Sequence, residues 1–123
     1  MWAFGITCAL AAVLMQATAV TWGGQHVELQ ADEKGAKLEF DCASGTIAAP
    51  LEPDADGRFS VRGRLLRQHA GPVRDDDAPA ANATYSGVIS GAEMTLRVRV
   101  DGEDRIDEYA LRRGRRGVLT KCR

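Results

Sequence analysis

Hydrophobic side chains recur at every second position over most of the chain. Val27, Leu29 and Ala31 alternate with His26, Glu28 and Gln30, and Leu38, Phe40 and Cys42 with Lys37, Glu39 and Asp41. Met94, Leu96, Val98 and Val100 alternate with Thr95, Arg97 and Arg99. A period of two belongs to strands with one buried and one wet face. Antiparallel sheets carry it; parallel strands buried on both faces do not. Turn residues fall between the runs: Asp32-Glu33-Lys34-Gly35, Ser44-Gly45, Asp56-Gly57, Ser90-Gly91, Asp101-Gly102 and Arg113-Gly114. Such pairs supply the positive φ of tight hairpins. Read this way, the chain holds about eight short strands, each beside its sequence neighbour. The first is opened by Thr21-Trp22-Gly23-Gly24 and continues to Ala31, and the last runs from Val118 to Lys121. The fold class expected is all-β, a small antiparallel up-and-down barrel. A sandwich is the alternative, but a meander favours closure, which removes exposed edges.

Two stretches break the rhythm. Residues 50–57 are acidic and hold Pro50 and Pro53, and read as a loop. Residues 68–82 hold Gly71-Pro72, three consecutive aspartates and Pro79, and form the longest predicted loop. Long loops in compact domains are often functional or mobile. Gly63 and Gly87 follow aromatic residues within predicted strands, where glycine marks a bend of a curling sheet.

The N-terminus changes the picture. The first charged residue is Glu28, so all 16 basic and 17 acidic side chains lie at or beyond it. Trp2 to Met15 is apolar apart from Thr7. A run of this length falls short of a bilayer span but suits a secretory signal peptide, and Ala17-Thr18-Ala19 fits the small-x-small cleavage pattern. Residues 1–19 therefore read as a signal peptide and 20–123 as one mature domain, with no stable membrane span after cleavage. Met1-Trp2-Ala3-Phe4 offers no basic side chain, only the terminal amine; the alternative is a hydrophobic helix that stays attached. Cleavage removes Cys8 and leaves Cys42 and Cys122, and an even pair in an exported chain reads as one disulfide. That bridge would close a loop of about 80 residues, worth roughly 4–5 kcal/mol in the chain-entropy model. With Cys42 on an early strand and Cys122 on the last, the pair would lie where the barrel closes. Arginine outnumbers lysine 13 to 3, which with abundant alanine suggests a GC-rich bacterial genome. The expected location is periplasmic or secreted.

Candidate chemistry is sparse. The only histidines are His26, outward on the first strand, and His69, at the start of the long loop. No Gly-x-Ser-x-Gly elbow occurs, and Ser60, Ser86 and Ser90 have no partner recognisable by spacing. The chain reads as non-enzymatic. Asp54-Ala55-Asp56-Gly57 resembles the opening of a calcium loop, but Arg58, Phe59 and Ser60 stand where further ligands belong, so it reads as a solvated turn with no metal. No cofactor is implied. The last twelve residues hold Arg112, Arg113, Arg115, Arg116, Lys121 and Arg123 and no acid, while the whole chain carries −1. Such a cluster can bind phosphate or an acidic partner, or balance the acidic loops. It lacks the interleaved aromatics of a nucleic-acid platform, so no nucleic acid is expected. The mature aromatics are Trp22, Phe40, Phe59, Tyr85 and Tyr109. In so small a barrel these fill the core or line a ligand site. Trp22, Tyr85, Tyr109 and the four arginines 112, 113, 115 and 116 are the candidate ligand or interface residues.

Thr21-Trp22-Gly23-Gly24, with Tyr85-Ser86-Gly87-Val88 and Met94-Thr95-Leu96, resembles avidin- and lipocalin-type barrels, which place a tryptophan on the first strand to plug one end. Avidins line the biotin site with several tryptophans and the mature chain has one, so biotin binding is not implied. The wider pattern, from Trp22-Gly23-Gly24 through Phe40-Asp41-Cys42-Ala43, Gly45-Thr46-Ile47 and Gly71-Pro72-Val73 to Lys121-Cys122, resembles small exported bacterial proteins to which no activity is attached. Phe40-Asp41-Cys42 with Cys122 is also similar to the plan of periplasmic lysozyme-inhibitor barrels. Their Ser-Gly-x-x-Tyr inhibitory loop is absent; Tyr85-Ser86-Gly87 runs in the other order. These resemblances imply an exported binding protein of the bacterial envelope, for an unknown small ligand or an envelope protein. The alternative is an inhibitor of an envelope-directed enzyme acting through residues 68–82.

Overall fold

The computed structural model describes residues 19–68 and 79–120. Residues 1–18 of the expected signal peptide, most of the 68–82 loop with His69 and the aspartates at 75–77, and residues 121–123 with Cys122 lie outside the described residues. Eight strands follow one another: β1 (Val20–Gly24), β2 (Val27–Ala31), β3 (Ala36–Phe40), β4 (Ala43–Ile47), β5 (Arg58–Arg67), β6 (Ala81–Ser90), β7 (Glu93–Val100) and β8 (Ile106–Arg113). Each pairs antiparallel with the next, and β8 returns to β1, giving the closed up-and-down barrel that the alternation predicts.

Local chemistry sets the turns. Asp32 Oδ1 accepts the backbone N–H of Lys34 at 2.8 Å and of Gly35 at 3.0 Å, closing the β2–β3 connection. Asp54 Oδ1 accepts the N–H of Asp56 at 2.8 Å and of Arg58 at 2.9 Å, while Gly57 takes φ +80°. The calcium-like sequence thus uses its first carboxylate to build its own turn into β5, a common role of aspartate in loops.

The strand boundaries differ from the expected ones in two places. The first run is two strands, broken at Gln25-His26, where His26 takes φ 69° and turns the chain back. Periodicity could not show this break, because a two-residue hairpin preserves the alternation on either side. The last run is no strand: Val118 makes only an isolated parallel bridge to Gln25. From Gly114 the chain instead runs as a strap over the outside of β1 and β2. Gly114 donates to the Thr21 carbonyl at 2.7 Å, Val118 to that of Gly24 at 2.9 Å, and His26 to that of Val118 at 2.8 Å. Gly117 donates to Glu28 Oε1 at 3.1 Å. The strap lies this close because a Cβ on Gly23 or Gly117 would collide with the backbone it crosses.

Inward columns of the strands form the core. Val27, Leu29, Leu38, Phe40, Met94, Leu96, Val98 and Val100 are buried, as alternation predicts, and Trp22, Phe59 and Leu111 join them. Tyr85 is fully buried and crosses the interior toward β4 and β5. A Cβ on Gly45 would meet its hydroxyl, and one on Gly63 its ring, so two glycines make room for one large side chain. Cys42 corrects another expectation. It occupies the exposed Asp41-Cys42 turn between β3 and β4, rather than a strand, and the barrel closes elsewhere, between β1 and β8.

Candidate functional site

Up-and-down topology puts the turns 25–26 and 41–42, the end of β5, the start of β6 and the connection 101–105 at one end of the barrel. There a cavity of about 310 Å³ opens. Its floor is apolar, made by the buried Phe40, Leu65 and Val98, with Ala43 and Tyr109 on the wall. The Phe40 and Tyr109 rings lie 5.1 Å apart at 45°. Its rim is polar: His26, Asp41, Arg67, Gln68, Arg105 and Asp107.

The polar groups of the rim have partners of their own. His26 Nδ1 lies 2.6 Å from Asp41 Oδ2, and Asp41 Oδ1 accepts the Thr120 N–H at 2.8 Å. One carboxylate therefore ties the β1–β2 turn, the β3–β4 turn and the end of the strap. Arg105 Nε donates to Asp107 Oδ1 at 2.7 Å, and Arg67 Nη2 donates to both oxygens of Glu103 at 2.9 and 2.8 Å. These arginine pairs are largely solvated, so they shape the rim more than they stabilise the fold. Burial, then the nearby Asp107 carboxylate, raises the Tyr109 pKa above its ordinary value. The phenol on the cavity wall is therefore neutral at physiological pH and can donate a hydrogen bond. No serine or threonine stands among the described lining residues.

Of the candidate ligand residues named from sequence, the structure brings Tyr109 to this cavity, and His26, weighed there for catalysis, stands on its rim. Trp22 and Tyr85 belong to the core, at 6% and 0% exposure. The Tyr85 hydroxyl donates to the Arg64 carbonyl at 2.7 Å inside the wall. The four arginines stand away from the mouth: Arg112 and Arg113 end β8, and Arg115 and Arg116 begin the strap, all exposed. Arg112 lies 3.7 Å from Glu93. Sequence reasoning missed Asp41, Arg105 and Asp107. One signal was available for Asp107. If Tyr109 and Leu111 point inward, then so does Asp107, and Ile106 points out; a carboxylate in a core column and an exposed isoleucine beside it break the pattern together.

Comparison of the chain with protein-family models, with curated proteins and with solved structures finds no match.

Proposed function

We propose that this chain is an exported, non-enzymatic binding barrel of the bacterial envelope that holds its ligand in the cavity at 25–26, 41–42 and 101–107. The observation that carries the reading is the division of the interior. Tyr85, Leu29, Leu38, Met94, Leu96 and Val27 are fully buried in the body of the barrel, and the mouth joins an apolar floor to convergent polar groups. Binding sites have that composition. The fit is to a ligand with an apolar portion for Phe40, Leu65 and Val98 and a polar portion for Asp107 and Tyr109. A non-enzymatic role is supported by what surrounds His26. It has a carboxylate partner, the arrangement of a general base, but among the described lining residues there is no serine or threonine for it to activate.

The reading includes export by residues 1–19 and a disulfide from Cys42 to Cys122. The Thr120 N–H bond to Asp41 supports the bridge, because it holds the strap two residues before Cys122 beside the residue preceding Cys42. A staple there would lock the strap to the mouth rather than lock the seam.

Native mass spectrometry of the protein recovered from the envelope of an expressing bacterium tests the whole reading. Expected are a chain starting at Val20, a mass lighter by two hydrogens than the reduced chain, and a retained ligand. Ala43→Trp, which fills the mouth, is expected to lose the ligand and keep the fold. An uncut chain or two free thiols would sink export and the bridge. A ligand held equally by the Ala43→Trp variant would sink the mouth as its site.

A further inference from the structure

The wall around the mouth has a step. β1 pairs with β8 only through Trp22↔Arg113 and Gly23↔Arg112, and then turns away at Gln25-His26. Gly24 still lies against the Ala110 carbonyl; beyond it β8 runs on from Tyr109 back to Ile106, while its other edge stays paired with β7 as far as Arg99↔Ile106. At the usual rise per residue this ledge is about 10 Å long. Staggered ends are a consequence of strand tilt in a closed barrel.

Hydrogen-bond parity shows what the ledge presents. Arg113 donates its N–H to the Ala92 carbonyl at 2.8 Å, so Arg113 and every second residue before it bond to β7. Gly114 donates to the Thr21 carbonyl at 2.7 Å, so the even-numbered residues face β1. Ile106 and Glu108 therefore turn their N–H and C=O groups toward the open side, and among the described residues no backbone group meets them there. A depression of about 570 Å³ lies across β8 here, reaching from Gly24, Gln25 and His26 past Glu108 and Ala110 to Glu93 and Thr95 of β7. Asp107 and Tyr109 of the same strand line the mouth cavity.

A row of unpaired backbone groups recognises another extended backbone. We propose that the ledge of β8 receives an extended peptide from a partner protein as an added strand, with one apolar side chain of that peptide seated in the mouth. This rests on the mouth as the ligand site and narrows the ligand to a peptide. A strand added beside β8 continues its alternation, so side chains across from Asp107 and Tyr109 enter the cavity, whose 310 Å³ and apolar floor suit a leucine or an aromatic ring. The side chain across from Glu108 stays outside, where a lysine or arginine is favoured. A second copy of this chain is the poorer occupant, since antiparallel pairing of two β8 ledges about Glu108 sets two carboxylates face to face.

The test combines amide hydrogen exchange with a displayed library of random heptapeptides, screened on the intact protein. In the free protein the Ile106 and Glu108 amides are expected to exchange fast, and those of Asp107 and Tyr109 slowly. Selected peptides should alternate apolar with basic or polar residues and slow exchange at Ile106 and Glu108 about tenfold or more. Methylating the peptide nitrogens that face β8 should weaken binding about tenfold per bond lost, and methylating the others should not. Glu108→Pro removes an edge donor without touching the β7 ladder, and should abolish peptide binding; if that variant misfolds, the methylated peptides decide alone. Slow exchange at Ile106 and Glu108 in the free protein, no selected peptide, indifference to methylation, or a dimer protecting the same amides would each overturn the proposal. A small molecule retained in the mouth and lost from Ala43→Trp, with no peptide selected, would leave the mouth standing and remove the ledge.

Discussion

Tyr85 shows how much one side chain decides in a barrel this narrow. Its ring occupies the volume that Gly45 and Gly63 leave open, and its hydroxyl is satisfied by the Arg64 carbonyl. Burying a phenol is tolerable when its hydroxyl has a partner, and the Arg64 carbonyl keeps its place in the β4–β5 ladder without it. Tyr85→Phe should therefore cost about 1 kcal/mol, read as a lower urea midpoint with an unchanged slope. Burial also pushes the Tyr85 pKa from 10.0 to about 12. The fold prefers the neutral phenol, so its contribution to stability is intact below pH 10 and is lost as pH rises through about 12. Ultraviolet titration of the two tyrosines should show Tyr109 ionising first, and Tyr85 only near that upper value or together with unfolding. Two tyrosines titrating together near their ordinary value, with the fold intact, would contradict this placement.

Strands here are held in register by their turns as much as by their faces. The turn before β5 depends on the Asp54 carboxylate, which takes two backbone N–H groups; Asp54→Ala should cost about 1 kcal/mol and leave the mouth unchanged. The strap depends on close backbone approach. A methyl at Gly117 would strike the Val27 carbonyl and Glu28 Cβ, so Gly117→Ala should lift the strap from β2. The expected cost is about 1–3 kcal/mol, with faster amide exchange at Val118 and His26, whose N–H groups bond Gly24 and Val118. Exchange unchanged at those two amides would show that the strap is held elsewhere.

Across the whole molecule, stability comes from closure and from a core of modest size. Contacts between distant parts of the sequence dominate, and the short pairing of β1 with β8 closes the ring. A bridge from Cys42 to Cys122 would add a constraint on the unfolded chain. Cys42→Ser is expected to lower stability by up to about 4–5 kcal/mol, measured by denaturant unfolding, and reduction of the parent protein should reproduce the loss. A parent protein indifferent to reductant would mean that no such bridge forms. Export and the bridge are linked, since the pairing persists only in an oxidising compartment.

Alternation by itself determined the architecture. Val27 to Ala31 and Met94 to Val100 could bury one face only as antiparallel strands, and Asp-Gly pairs between such runs left a meander as the simplest path. That reading needs nothing beyond side-chain period and turn chemistry, which are local. Three things required the tertiary structure. The break at His26 and the absence of a strand at 118–120 go with a strap lying on Gly23, a contact between residues about 90 apart in sequence, which no local period encodes. The split of the candidate residues, with Tyr85 in the core, Tyr109 at the mouth and the arginines on the far side, depends on which strand end each one occupies. The mouth itself, with Asp41, Arg105 and Asp107 converging from three different elements, exists only once β8 has closed on β1. The ledge of β8 is of the same kind: strand tilt creates it, and tilt is a property of the closed barrel rather than of any strand.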